Sequence, residues 1–173
     1  MLTLSLLRHT KSSWKGPTQD DYDRSLALRG EADAPRMGNA MAKRGIEPEL
    51  VLCSSARRTR ETLALVLPEL KAEPKVIYAE SLYHAAPAWI LQMLQGIGAG
   101  VSQVLLVGHN PVLHALALDL VGSGPKHMRD RLAAKLPTGG LVVITFPVGL
   151  WKDIAVNTGQ LTVFLTPREV EKT

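Results

Sequence analysis

The chain has 173 residues, 46% of them hydrophobic, and 20 basic against 16 acidic side chains for a formal net charge of +4. That length suits one well-packed domain spanning 1–173 and is short for two. The basic excess admits anionic partners, but the bases form no long run and few aromatics are available for stacking (Trp14, Trp89, Trp151, three Tyr and two Phe), so neither a nucleic-acid footprint nor, with no apolar stretch of about 18 residues, a membrane span is expected.

A first strand is expected at about residues 2–7, where Leu4-Ser5-Leu6-Leu7 runs directly into Arg8-His9-Thr10. A neutral imidazole can attack phosphorus, and a guanidinium beside it can grip phosphoryl oxygens in a bidentate manner. The following stretch, Lys11 to Asp23, is polar. Its Gly16-Pro17 pair reads as a flexible rim, and Trp14 is placed to pack over a pocket mouth. A helix is expected between Arg29 and Arg44, with Pro35 marking its start or kinking it and Gly45 closing it.

Strand 50–53 carries the single cysteine, Cys53, which reads as a buried strand residue rather than a nucleophile and excludes an intrachain disulfide. Ser54 and Ser55 are good N-cap types for a helix at 56–67, continued by Leu63, Val66 and Leu67. Arg57, Arg58 and Arg60 then crowd the first turn. That is the unfavourable end for a cation in the helix dipole, and a bound anion would relieve the mismatch.

A strand at 75–78, a helix at 87–95 and a strand at 103–107 follow. Val107-Gly108-His109-Asn110-Pro111 is a sharp strand-to-helix junction, with Asn110 suited to the N-cap and Pro111 to the first helical position. Leu113, Leu116, Ala117 and Leu120 give helical spacing over 111–121. A loop at Gly122-Ser123-Gly124-Pro125, a short helix near 128–134 and strands at 140–146 and 151–157 complete the chain. With Gly149 and no helix between them, the last two strands should form a hairpin. The alternation predicts an α/β three-layer sandwich, a mixed, mostly parallel sheet with helices on both faces. No repeat, low-complexity tract or linker interrupts it.

Each strand end also has a structural reading: Arg8 as a surface cation, His9 or His109 as a core histidine, the arginines as a solvated helix face. What distinguishes them is that all three end strands expected to share one sheet edge, where ligand chemistry collects in α/β proteins. His114 reads as packing or surface, and His127 as part of a solvated loop. Thr138-Gly139-Gly140 reads as a turn into a strand, near the site only if the fold brings it there.

These fragments resemble a known family. Arg8-His9-Thr10 resembles the R-H-G or R-H-A signature of the histidine phosphatase, or phosphoglycerate mutase-like, superfamily. Asp23-Arg24-Ser25-Leu26 and Arg29-Gly30-Glu31-Ala32-Asp33-Ala34-Pro35 look like its SixA-type branch of small phosphohistidine phosphatases. Ser54 through Thr62 is similar to the S-P-x-x-R-A/T-x-Q-T segment, with Arg58 rather than Arg57 on the motif arginine. Gly108-His109-Asn110-Pro111 matches G-H-N-P. The departures are Thr10 for a small residue, Ser25 and Ser55 for Pro, and Glu61 for Gln. Thr10 is expected to narrow the pocket and Glu61 to offset local positive charge.

The resemblance implies a phosphoglycerate mutase-like fold with His9 as nucleophile. Water would hydrolyse the resulting phosphohistidine intermediate. Arg8, Arg58 and His109 would bind the phosphoryl group and act in catalysis, with no metal and no cofactor. The family's L-x-E acid falls at Leu82-Tyr83-His84, so His84 and the preceding Glu80 are the weak candidates for a general acid. A missing strong acid favours a phosphoramidate, whose leaving nitrogen can already carry a proton. The implied partner is a phosphorylated protein domain of the histidine phosphotransfer type. Alternatives are a small phosphate ester on the same scaffold and a non-catalytic phosphoprotein-binding module, whose sign would be a lost nucleophile. The chain starts in a strand pattern with no basic leader, and a cytoplasmic location is the expectation.

Overall fold

A computed structural model describes residues 1–14 and 20–171. Its elements are β1 (Leu2–Arg8), α1 (Leu28–Lys43), β2 (Leu50–Ser54), α2 (Arg57–Val66), β3 (Lys75–Ala79), α3 (Ser81–His84), α4 (Pro87–Gln95), β4 (Gln103–Gly108), α5 (Val112–Leu120), β5 (Val121–Ser123), α6 (Lys126–Ala134), β6 (Leu141–Phe146), β7 (Gly159–Leu165) and α7 (Pro167–Glu171).

One seven-stranded sheet runs in the order β3-β2-β4-β1-β6-β7-β5. The contacts β3–β2, β2–β4 and β4–β1 are parallel, β1–β6 and β6–β7 antiparallel, and β7–β5 parallel. Alternation along each strand divides the apolar side chains between two faces. On one face Leu4, Leu6, Leu52, Leu106 and Ile144 pack with Ile90 and Leu94 of α4, Leu113 and Leu116 of α5 and Leu132 of α6. On the other, Leu7, Val51, Cys53, Leu105 and Val107 pack with Met37 and Met41 of α1 and Leu63 and Val66 of α2. Each fully buried Leu or Val contributes about 1.5–3 kcal/mol of transfer free energy. This is the expected α/β three-layer sandwich with a mixed sheet.

Several elements depart from the sequence reading. The strand expected at 151–157 is a 3-10 turn, Trp151–Asp153, and the last strand is Gly159–Leu165. Trp151 is the cause: its ring is buried and its indole N–H donates to the Val101 carbonyl at 2.7 Å, which anchors the segment in the core instead of in the sheet. The antiparallel pairing of the last two strands survives this shift. Residues 121–123, read partly as loop, form the edge strand β5 beside β7. The short helices α3 and α7 are additional. α6 begins at Lys126, so His127 lies on a helix and not in a loop.

α1 starts at Leu28 and runs through Pro35, which therefore does not mark its beginning. Gly45, with φ +69°, closes it as expected. Neither serine caps α2: Ala56 occupies the cap position. α5 starts one residue late, with Pro111 at the cap and the Asn110 amide donating to the Leu136 carbonyl at 2.9 Å. Among the described residues no helix is long and apolar enough to cross a membrane. The expected Gly16-Pro17 rim lies outside the described residues.

Candidate active site

β1, β2 and β4 run parallel and end at the same sheet edge, and Arg8 stands opposite Gly108 in the register. His9 and His109, one residue further on, are thereby brought together. The His9 amide donates to the Gly108 carbonyl at 3.1 Å, and the two ring centroids are 5.4 Å apart. Arg58 reaches the same place from the first turn of α2. The cavity they share, about 400 Å³, is walled by all four expected site residues together with Lys11, Ser12, Trp14, Asp21, Arg24, Asn110 and Thr138.

His9 is buried, and its Nδ1 lies 2.8 Å from the Thr10 carbonyl. A carbonyl only accepts, so Nδ1 carries the proton and Nε2 carries the lone pair. Burial pushes the imidazole pKa down to about 3. The Thr10 hydrogen bond opposes this, and the charges of His109, Arg58 and Arg8 assist it. The His9 ring is therefore neutral at ordinary pH, with the lone pair on Nε2.

His109 is held at about 4, chiefly by burial and by Arg58, with Asp21 pulling the other way. Its Nε2 is 2.7 Å from Ser54 Oγ. Arg8, whose pKa is lowered by burial and by Arg58, is fixed by donation from Nη1 to the Leu136 carbonyl at 3.0 Å. His109 Nδ1, Arg8 Nε, Arg58 Nε and Asn110 Oδ1 are buried with no hydrogen-bond partner among the described residues. Three of those four atoms are nitrogens on side chains that wall one cavity, an arrangement that an anion would satisfy.

The arginine cluster separates cleanly. Arg58 is buried against the pocket, whereas Arg57 is half exposed and pairs with Glu61 at 3.3 Å. Arg60 is exposed and donates to the Ser55 carbonyl at 2.8 Å. Glu61 thus offsets a positive charge as expected, and it also accepts the Leu26 amide at 3.2 Å. Thr10 does not narrow the pocket. It is fully buried, turned away onto Thr62, whose hydroxyl accepts the Thr10 amide at 3.2 Å and donates to the Arg58 carbonyl at 2.7 Å.

Neither candidate acid reaches the cavity wall. Glu80 and His84 are exposed. Tyr83 between them stacks edge-on against His109 and donates its hydroxyl to Asp21 Oδ2. Asp21 and Arg24 are the residues that sequence reasoning missed. Burial would raise the Asp21 carboxyl, but the Tyr83 hydroxyl and the Arg58 and Arg24 charges outweigh it and hold it below the usual carboxylate range. Arg24 bonds Asp21 Oδ1 at 2.9 Å and stacks on Trp14 at 3.7 Å from the ring centroid. The Asp21–Arg24 spacing of three was the available signal. Cys53 is buried in its strand, as expected, with its thiol pushed up to about 12, chiefly by burial. His114 is spent on the Leu132 carbonyl at 2.5 Å. The Thr138-Gly139 turn does come to the site: the Gly139 amide lies 3.1 Å from the Arg8 carbonyl and 2.9 Å from that of His9. Among the described residues no three His, Cys, Asp or Glu side chains group as metal ligands.

Comparison with known proteins agrees with this geometry. The profile of the histidine phosphatase superfamily (branch 1) matches residues 4–83. An uncharacterized protein of Mycobacterium leprae (strain TN) is 36% identical over 166 residues, covering 94% of this chain and 100% of that one. The structure is similar to that of a proposed SixA phosphohistidine phosphatase from Agrobacterium tumefaciens, with TM-score 0.81 and 29% identity over 96% of this chain and 98% of that one. The chain belongs to the histidine phosphatase superfamily. A second proposed SixA, from Nakamurella multipartitia, has TM-score 0.80 and 29% identity, covering 96% of each chain. The fold is thus the phosphoglycerate mutase-like fold of that superfamily.

Proposed function

We infer that this superfamily member is a metal-independent phosphohistidine phosphatase, acting on a phosphorylated protein domain with His9 as its nucleophile. The observation that carries the reading is the neutral His9 ring, its Nδ1 proton committed to Thr10 and its Nε2 free, set among Arg8, Arg58 and His109. His9 Nε2 forms a bond to phosphorus as the substrate's phosphorus–nitrogen bond breaks, and the substrate imidazole leaves with its own proton. Water then breaks the new bond, releasing inorganic phosphate and regenerating His9. Arg8 and Arg58 neutralise the oxygens of the phosphoryl group, the part that a metal ion plays elsewhere, and His109 Nδ1, buried without a partner among the described residues, hydrogen-bonds one of them.

The ionised Asp21 supports the choice of substrate. A carboxyl held below its usual range is a poor proton donor, and an alkyl ester would need one for its alkoxide. A phosphoramidate nitrogen does not. The similarity to proteins named as SixA phosphohistidine phosphatases supports the same choice, and the one continuous sheet supports reading 1–173 as a single catalytic domain. A side-by-side screen of phosphohistidine proteins and phosphate monoesters tests the reading, with His9→Ala as control. Turnover of the phosphoprotein with kcat/KM at least about tenfold above any ester, equivalent to about 1.4 kcal/mol, is the expected result. A better sugar phosphate substrate would overturn it.

A further inference from the structure

A second cleft of about 420 Å³ opens beside the catalytic cavity, and Lys11 and Thr138 wall both. Lys11, Arg29, Lys135 and Arg168 surround it, and among the described residues Asp33 is the one acid that lines it. Asp33 is buried and already shared between Arg29 at 3.6 Å and Arg36 at 3.4 Å. Among the described residues Lys11, Lys135 and Arg168 have no carboxylate within ion-pair distance. Glu169, the nearest acid in sequence to Arg168, is committed to Arg131 and to Thr166. The cleft therefore carries an uncompensated positive charge on exposed side chains, next to a pocket that is itself cationic.

The partition between the two hollows is closely packed. The Lys11 carbonyl accepts the Ala27 amide at 2.9 Å, and a Cβ at Gly30 would come within 2.1 Å of that same carbonyl, so α1 lies directly against it. On the opposite side Gly139, at φ +74°, leaves no room for a side chain. A Cβ there would lie 2.6 Å from Pro167 and 3.2 Å from Thr10. The cleft is thus separated from His9 only by this packed wall.

We propose that this basic cleft is a docking subsite for acidic side chains on the phosphoprotein substrate, beside its phosphohistidine. The proposal rests on the phosphohistidine reading above. Charge complementarity and continuity with the catalytic cavity argue for it. So does the exposure of the cations, which suits a protein face laid across them. Contacts of this kind act mainly on encounter and selectivity.

The double variant Lys135→Glu/Arg168→Glu tests it, since neither residue belongs to the catalytic cavity. Three quantities are measured for wild type and variant: kcat/KM on a phosphohistidine-bearing phosphotransfer domain, kcat/KM on free phosphoramidate, and binding of poly-L-glutamate by calorimetry. The variant should lose about tenfold or more on the phosphoprotein while phosphoramidate turnover changes less than about twofold. Added salt should erode the wild-type advantage, and poly-L-glutamate should bind wild type alone. Equal rates on the phosphoprotein would overturn the docking site and leave the phosphohistidine reading standing. Glutamate polymer bound by wild type alone, with no turnover of any phosphohistidine protein, would sustain the acidic subsite and overturn that reading instead. Should the reversal misfold, Lys135→Gln/Arg168→Gln carries the same comparison with a smaller loss.

Discussion

Arg58 holds Asp21 by two hydrogen bonds, from Nη1 to its main-chain carbonyl at 2.7 Å and from Nη2 to Oδ2 at 3.2 Å. The pair locks one arginine of a crowded helix start over the candidate active-site cavity, while its neighbours Arg57 and Arg60 bond elsewhere.

Arg58→Ala should accordingly lower kcat/KM by about a hundredfold or more, the scale of losing a charged group aimed at transition-state oxygens. Arg57→Ala and Arg60→Ala should stay within about threefold of wild type, because exposed charges act through screened solvent. Steady-state kinetics on one phosphoryl donor decide this. A larger defect in Arg57→Ala than in Arg58→Ala would show that the wrong arginine has been assigned.

Asp21 also acts on His109, whose pKa it raises against the depression by burial and Arg58. Asp21→Asn should therefore move His109 below its value of about 4. An NMR titration of the His109 ring reads this directly, with Tyr83→Phe as a milder companion that leaves the carboxylate in place. An upward shift in Asp21→Asn would contradict the electrostatic account.

The neutral histidines make stability depend on pH. The unfolded His9 ring takes up a proton near its ordinary 6.5, whereas the folded ring resists down to about 3. Between those values the unfolded chain binds more protons, so stability rises with pH across that window and is lost as pH falls from 6.5 towards 3. Thermal melts of wild type should show this decline, and His9→Gln should flatten part of it. A His9→Gln variant with the full wild-type slope would mean that the buried ring is not the titrating group.

Turnover should persist in excess chelator, since the Arg8 and Arg58 guanidiniums supply the positive charge. Loss of activity in chelator with recovery on adding a divalent ion would replace this mechanism with a metal-assisted one.

Much of the site was legible because its residues sit at the ends of strands. Apolar runs leading into Arg8-His9 and Gly108-His109 mark β1 and β4, and parallel register then forces the two histidines together. Arg58 was selected over Arg57 only by motif register, and its burial against the cavity agrees. Asp21 was hidden because its role depends on a 3-10 turn, Asp21–Asp23, inside a polar stretch with no periodicity. The last strand was misplaced because Ile154-Ala155-Val156 is a short apolar run of the kind a strand gives, while a buried indole hydrogen bond governs where Trp151 sits. Tertiary contacts of that kind leave no local pattern to read.

If His9 Nε2 takes the phosphoryl group, brief incubation with a labelled phosphoryl donor, followed by denaturation, captures the adduct. Wild type should carry an acid-labile, alkali-stable label that maps to His9, and His9→Ala should carry none while retaining a folded spectrum. Label that persists in His9→Ala, or an acid-stable adduct on another residue, would contradict the account.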